Sequence, residues 1–149
     1  MLSVPRVLLA ASSAILGLGG LVHGLAFFTK ARGIIDGSGL SPFFASEMKV
    51  LWLADSTSLI AISIAFAVLT LMPGSASPLV ILLLSLVPMA TTALLYIFLG
   101  GFYAAHLLAV ASILAVAAAI TGGQFQPQQP ASTEPPPMSA LGAGPSGAG

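Results

Sequence analysis

The stretch LVILLLSLVPMATTALLYIFLGGFYAAHLLAVASILAVAAAI, residues 79–120, runs for forty-two positions without one Asp, Glu, Lys or Arg. As a single helix it would rise about 63 Å, roughly twice the thickness of a bilayer's hydrocarbon core. It must therefore be two spans. Gly100-Gly101 is the one break in it with the backbone freedom for a tight reversal, which sets the spans at 79–99 and 102–120. Pro88 interrupts the first of them. A proline lacks an amide hydrogen and crowds the preceding turn, so a kink and a freed carbonyl at Leu84 are expected there.

Toward the N-terminus the same punctuation recurs. Ser77-Pro78 reads as a cap followed by proline at the first helical position, and Ser41-Pro42 repeats it. The helix opened by Pro42 carries Glu47 and Lys49 at the water boundary, continues as a span over about 48–72, and stops at Pro73-Gly74-Ser75. Residues 29–41, with Gly33, Gly37 and Gly39, read as the one substantial internal loop. Before it lies an apolar run over 7–28, opened by Pro5 and Arg6 and closed by Lys30 and Arg32. At roughly 33 Å it is a full span. A cleaved signal peptide is the competing reading, but a signal core is only roughly 7 to 15 residues long, so an uncleaved anchor is preferred.

Past residue 121 the composition turns to glycine, proline, glutamine and small residues, including Pro135-Pro136-Pro137. Such a segment cannot bury enough apolar surface to fold. The expectation is an all-α protein: an integral membrane bundle of four transmembrane helices over residues 1–121, followed by a disordered C-terminal tail over 122–149.

Composition narrows the function classes. With 57% hydrophobic and 5% charged residues, the chain cannot cover a soluble fold, for which about 25% charged is usual. A formal net charge of zero removes the basic footprint of a nucleic-acid or polybasic lipid contact, so no nucleic-acid partner is expected. The absence of cysteine excludes disulfides, thiolate metal sites and thiol catalysis. Four spans leave no room for a soluble catalytic domain. Lys30, Arg32 and Lys49 fall on one side and Arg6 on the other, so the positive-inside rule puts the 29–49 connection in the cytoplasm and both termini outside, in a plasma membrane of bacterial inner-membrane type.

The aromatic residues crowd the side of the charged loop: Phe27, Phe28, Phe43, Phe44, Trp52, Tyr96, Phe98, Phe102 and Tyr103, against Phe66 alone deeper in. Interfacial anchoring explains most of them. The ionisable residues are more informative. His23, Asp55, Tyr96 and His106 come from four different spans, yet each lies roughly 6 to 9 Å from the same boundary. With Tyr103 they form a candidate intramembrane polar cluster. An unpaired Asp costs roughly 2.5 to 3.5 kcal/mol at a helix centre, so Asp55 should find a partner, with either histidine a candidate. The simplest purpose for such a pair is to lock helices together.

A functional purpose would take one of three forms. His23 and His106 could ligate a haem b axially, the site could hold a quinone or lipid headgroup, or it could relay protons in a small proton-coupled transporter. Zinc or copper is disfavoured, because such sites need three or four ligands. Other patterns read as packing. Ser13, Gly17, Gly20 and Gly24 put small residues on one face of the first helix. Lys49, Ser56, Ser63 and Thr70 recur at seven-residue steps on the second, and Ser85, Thr92 and Tyr96 share a face of the third. These hydroxyls are expected to bond across helices. The fourth span is alanine-rich. Gly17-Leu18-Gly19-Gly20 lies inside a span with no strand before it and is no phosphate loop.

The sequence thus points to a non-enzymatic binding or accessory subunit, with no catalytic residue and no cofactor expected. A haem- or quinone-binding redox protein is the alternative, and a small transporter the third reading. Partners are the bilayer and possible further membrane subunits or copies of the chain.

Overall fold

Three of the four spans start in the same way: Ser3, Ser41 and Ser77 occupy the cap position, and a proline follows within the first two helical residues. Proline costs nothing there, since its missing amide hydrogen has no partner to lose. The computed structural model describes residues 3–72 and 77–124, and within them the chain is an all-α bundle of four membrane-spanning helices. The stop at Pro73-Gly74-Ser75 and the tail beyond 124 lie outside the described residues.

The first span is α1 (Val4–Ala26), continued by a π turn (Phe27–Ala31) and the short α2 (Arg32–Asp36). This corrects the reading of 29–41 as a loop: the helix runs on to Asp36, and only residues 37–41 connect it to α3 (Pro42–Leu71). The Arg32 amide reaches back five residues to the Phe27 carbonyl, which defines the wider turn. The Thr29 hydroxyl donates to the Leu25 carbonyl at 3.0 Å, supplying a bond where the ladder changes register. The widening has a packing purpose. Phe27, Ala31 and Ile35 are all buried, in steps of four that drift about 40° each around an ideal α-helix. The extra residue in the turn absorbs that drift and keeps all three against α3, where Ala45, Trp52 and Leu53 receive them.

α4 (Pro78–Leu99) and α5 (Tyr103–Gln124) complete the bundle. Gly100 joins them at φ 72° and ψ −167°, a conformation open essentially to glycine alone. The last helix runs to Gln124, a few residues beyond the expected end at 120. Spatial order differs from chain order. α1 lies between α3 and α5, and α4 packs on the far side of α5 with only marginal contact to α3. The common core joins Leu9 and Leu16 of α1, Leu59 and Phe66 of α3, Ile81 of α4 and the buried alanines of α5. In α4 the buried residues are Ile81, Ser85 and Pro88, all in the half that ends at the proline.

Glycines let α1 and α3 approach backbone to backbone. A methyl group on Gly20 would lie 2.9 Å from Ile60 Cγ1 and 3.0 Å from the Ser56 carbonyl oxygen, and one on Gly17 would lie 2.6 Å from Ser63 Oγ. At that distance the Ser13 and Ser63 hydroxyls each donate to the other's carbonyl, both at 2.8 Å. The adjacent Ser12 donates across the opposite interface to the Ala111 carbonyl, also at 2.8 Å. Two neighbouring serines therefore tie the central helix to both flanks.

The hydroxyl stripes of the second and third spans meet the expectation only at Ser63 and at Tyr96, whose hydroxyl reaches His106 on α5. Ser56, Thr70, Ser85 and Thr92 all donate to the carbonyl four residues back in their own helix. A serine or threonine hydroxyl in hydrocarbon has that acceptor within reach, so it crosses to a neighbour where small residues bring the second backbone as near as Gly17 does.

Candidate functional site

The helix order decides how the shallow polar residues are shared out. α1 and α3 are neighbours, so Asp55 takes His23: His23 Nε2 lies 3.5 Å from Asp55 Oδ2, with both side chains a little over one-third exposed. His23 follows the buried Leu16 by seven residues, and Asp55 precedes the buried Leu59 by four, so both continue interior stripes of their helices. Trp52 completes this site. Its indole lies parallel to the imidazole with ring centroids 4.5 Å apart, and its Nε1–H donates to the His23 carbonyl at 3.0 Å. That carbonyl also accepts the Phe27 amide, so both of its lone pairs are used just before the π turn. A positive charge on His23 would be met by a carboxylate on one edge and an aromatic face below.

The second pair sits at the α4–α5 reversal. Tyr96 Oη and His106 Nδ1 are 2.5 Å apart, and the rings are tilted at 58° with centroids 5.5 Å apart. Gly101 lies beside the other edge of the imidazole: a methyl group there would be in ordinary contact with Cε1 and Nε2, at 3.7 Å from each. His106 is exposed and shares its face of α5 with Ala109 and Ile113, whereas the adjacent Ala105 and Leu108 turn inward and are buried. Tyr103 points outward, 72% exposed, with its ring edge to face against Phe102.

The five candidate residues therefore form two pairs and one outlier. Among the described residues no hydrogen bond or ion pair joins one pair to the other, and no three His, Asp or Glu side chains converge as a metal-holding group. Axial haem ligation would need both imidazoles on one iron. His23 lies on an interior stripe and His106 on an outer face, each already facing its own partner, and the residues present do not form that arrangement.

A separate charged group closes the helix connection. Lys49 pairs with Asp36, which also lies 3.9 Å from Arg32 one turn earlier. It fastens α2 to the start of α3 at the membrane boundary. Exposed pairs of this kind contribute at most about 1 kcal/mol.

One feature escaped the sequence altogether. Between α4 and α5, on the side away from α1, lies an open cleft of about 500 Å³ lined by Met89, Thr92, Ala93, Ile113, Val116 and neighbours. The polar atoms of Thr92 and Ser112 along it are satisfied by their own helices. Periodicity reveals that α5 carries Ala109, Ile113, Val116 and Ile120 on one face, but not that this face lacks a neighbouring helix. Trp52 is the other addition; lying three residues before Asp55, it shares that residue's side of α3.

Compared with protein families, curated proteins and solved structures, the chain matches none of them.

Proposed function

We propose that this chain is a non-enzymatic, membrane-embedded binding or accessory subunit. The observation that carries the reading is the unequal fixing of its spans. α1 is tied to both flanks by Ser12 and Ser13, whereas α4 leans chiefly on α5 and leaves the 500 Å³ apolar cleft beside it. That volume falls within the roughly 300 to 1,000 Å³ typical of small-molecule sites. The shallow polar residues support binding over catalysis: His23 faces Asp55 and Trp52, His106 faces Tyr96, and neither group lines up a nucleophile, a base and an orienting residue. Native mass spectrometry and an optical spectrum of the detergent-extracted protein test this. The reading expects a colourless protein that retains a bound amphiphile or a further membrane subunit in stoichiometric amount. A Soret band, or a bare monomer with nothing retained, overturns it.

The distribution of Lys30, Arg32 and Lys49 against Arg6 supports an orientation with the 37–41 connection in the cytoplasm and both ends of the chain outside a bacterial-type plasma membrane. A cysteine placed at Gly37 is then labelled only from the cytoplasmic side, and one at Ser132 only from outside. The reverse pattern sinks the orientation and leaves the four spans intact.

A further inference from the structure

We infer that His23, Asp55 and Trp52 form a proton-binding latch: when the imidazole takes up a proton it closes on Asp55 and steadies the passage from α1 through the π turn to α2. This goes beyond the binding role above and does not depend on it. The pair as it stands is near but not closed. His23 Nε2 lies 3.5 Å from Asp55 Oδ2, against about 2.7 to 2.9 Å for a charge-assisted bond between such groups. A neutral imidazole donates from one nitrogen, whereas the charged ring donates from both, so protonation gives Nε2 a hydrogen to offer Asp55 whichever tautomer precedes it. Trp52 favours the same state. Its indole lies parallel to the imidazole with ring centroids 4.5 Å apart, and an aromatic face attracts a cation. The indole is itself pinned by its bond to the His23 carbonyl, so that face stays in place whatever the charge.

The surroundings leave His23 one carboxylate among the described residues. On α3, Lys49 is taken by Asp36, and Glu47 is exposed about two turns nearer the connection than Asp55. Lys30 in the π turn and Arg32 and Asp36 in α2 all lie beyond His23 toward the same connection. Residues 79–120 bring no Asp, Glu, Lys or Arg; their Tyr96 and His106 engage each other, and Tyr103 points outward. Because both side chains of the pair are partly exposed near the membrane boundary, a proton reaches them from water without crossing the hydrocarbon. The consequence starts at the backbone of His23. Its carbonyl accepts the Phe27 amide as well as the Trp52 indole, so a latch at this residue bears on the point where the π turn begins. Beyond it the chain is held to α3 by the buried Phe27, Ala31 and Ile35 and by the Asp36–Lys49 pair.

The test uses the full chain in phosphatidylcholine nanodiscs. Trp52 is the only tryptophan, so the emission of the intact protein reports this site. A charged imidazole stacked on an excited indole quenches it by electron transfer more strongly than the neutral ring does. Emission is therefore expected to fall reversibly, along a one-proton curve, as pH is lowered from about 8 to about 5, the range in which imidazoles change charge. His23→Gln should abolish that response. Flat emission in the parent protein, or a response that survives His23→Gln, overturns the inference. Should His23→Gln fail to fold, the parent protein decides: with its histidines labelled with 15N, one of the two imidazoles titrates in step with the emission, and neither doing so overturns the site. Closure is read separately by hydrogen exchange, each rate divided by the intrinsic rate at that pH. Amides of residues 27–36 are expected to be several-fold better protected at the low end of the range than at the high end. Asp55→Asn keeps the stacked rings and removes the charge, and should retain the emission response while losing the change in protection. If the parent shows no change in protection, or Asp55→Asn shows the same change, His23 binds a proton without latching and the inference falls.

Discussion

The α1–α3 seam and the α4–α5 hairpin solve the same problem in opposite ways. Along the seam, glycines replace side-chain bulk, two backbones come close enough for reciprocal serine bonds, and the His23–Asp55–Trp52 group closes the end near the loop. In the hairpin a short glycine reversal forces the helices together at one end, Tyr96–His106 clasps them there, and the sides are left open along a cleft. Contact between helices in hydrocarbon gains little from the hydrophobic effect, so close packing must be built from small residues. Where they face a neighbour the bundle is solid; along the α4–α5 cleft Ala93, Ala109 and Ala117 have no third helix packed over them, and it has room.

The sharpest way to break that contrast is to enlarge Gly20. Gly20→Leu drives a side chain into Ile60 and the Ser56 backbone, and overpacking of this kind costs about 1 to 3 kcal/mol, read as a fall in thermal stability in detergent. Gly19, one residue away, has nothing within 4 Å of where its Cβ would be, so Gly19→Leu should stay within about 1 kcal/mol of the parent. Equal effects at the two glycines would remove the seam from the account.

A smaller effect is expected from the polar end. His23→Leu leaves Asp55 without its partner, but both groups are partly exposed, so the loss should be about 1 kcal/mol. Asp55→Asn keeps shape and most hydrogen bonding and should cost less. Severe destabilisation by that isosteric change would mean a charge pair sealed from water. Next in size is Ser63→Ala, worth about 0.6 kcal/mol for the lost cross-helix bond, and it should exceed Ser56→Ala, whose hydroxyl bonds only within α3. Chemical denaturation of the two variants side by side decides this. Least of all, deletion of residues 128–149 should leave insertion and thermal stability unchanged, because that segment has no apolar face to dock; loss of detergent-stable protein on truncation would refute this.

How much of this can be read from residues alone depends on whether the cause is local. Span boundaries are local: Ser41-Pro42, Ser77-Pro78 and Gly100 each carry their own stereochemical reason and stand where the helices start or reverse. Depth is local too, which is why His23 and Asp55, and Tyr96 and His106, fall level enough to pair across helices. Neighbourhood is not local. No pattern in the chain says that α3 and α4, joined in sequence, hardly touch, or that α1 takes the central place. That order separates His23 from His106 and leaves one face of α5 open. The run from Thr29 to Asp36 misleads for another reason: Lys30, Arg32 and Gly33 have the composition of a loop, while the buried Phe27, Ala31 and Ile35 gain enough from α3 to hold the helix together through a widened turn.

The central position of α1 bears on how the protein is made. Membrane proteins emerge from the ribosome N-terminus first, and a span that appears before its partner must wait in lipid. Of these four spans, the one that two others require arrives before the other three. α3 can dock on it as soon as it is inserted, by the Ser13–Ser63 exchange, without waiting for anything downstream. α4 is the exception. Its principal neighbour, α5, leaves the ribosome after it, so α4 waits for that partner until the Gly100 reversal returns the chain. During that interval its uncharged, strongly apolar sequence keeps it in the bilayer without a companion helix.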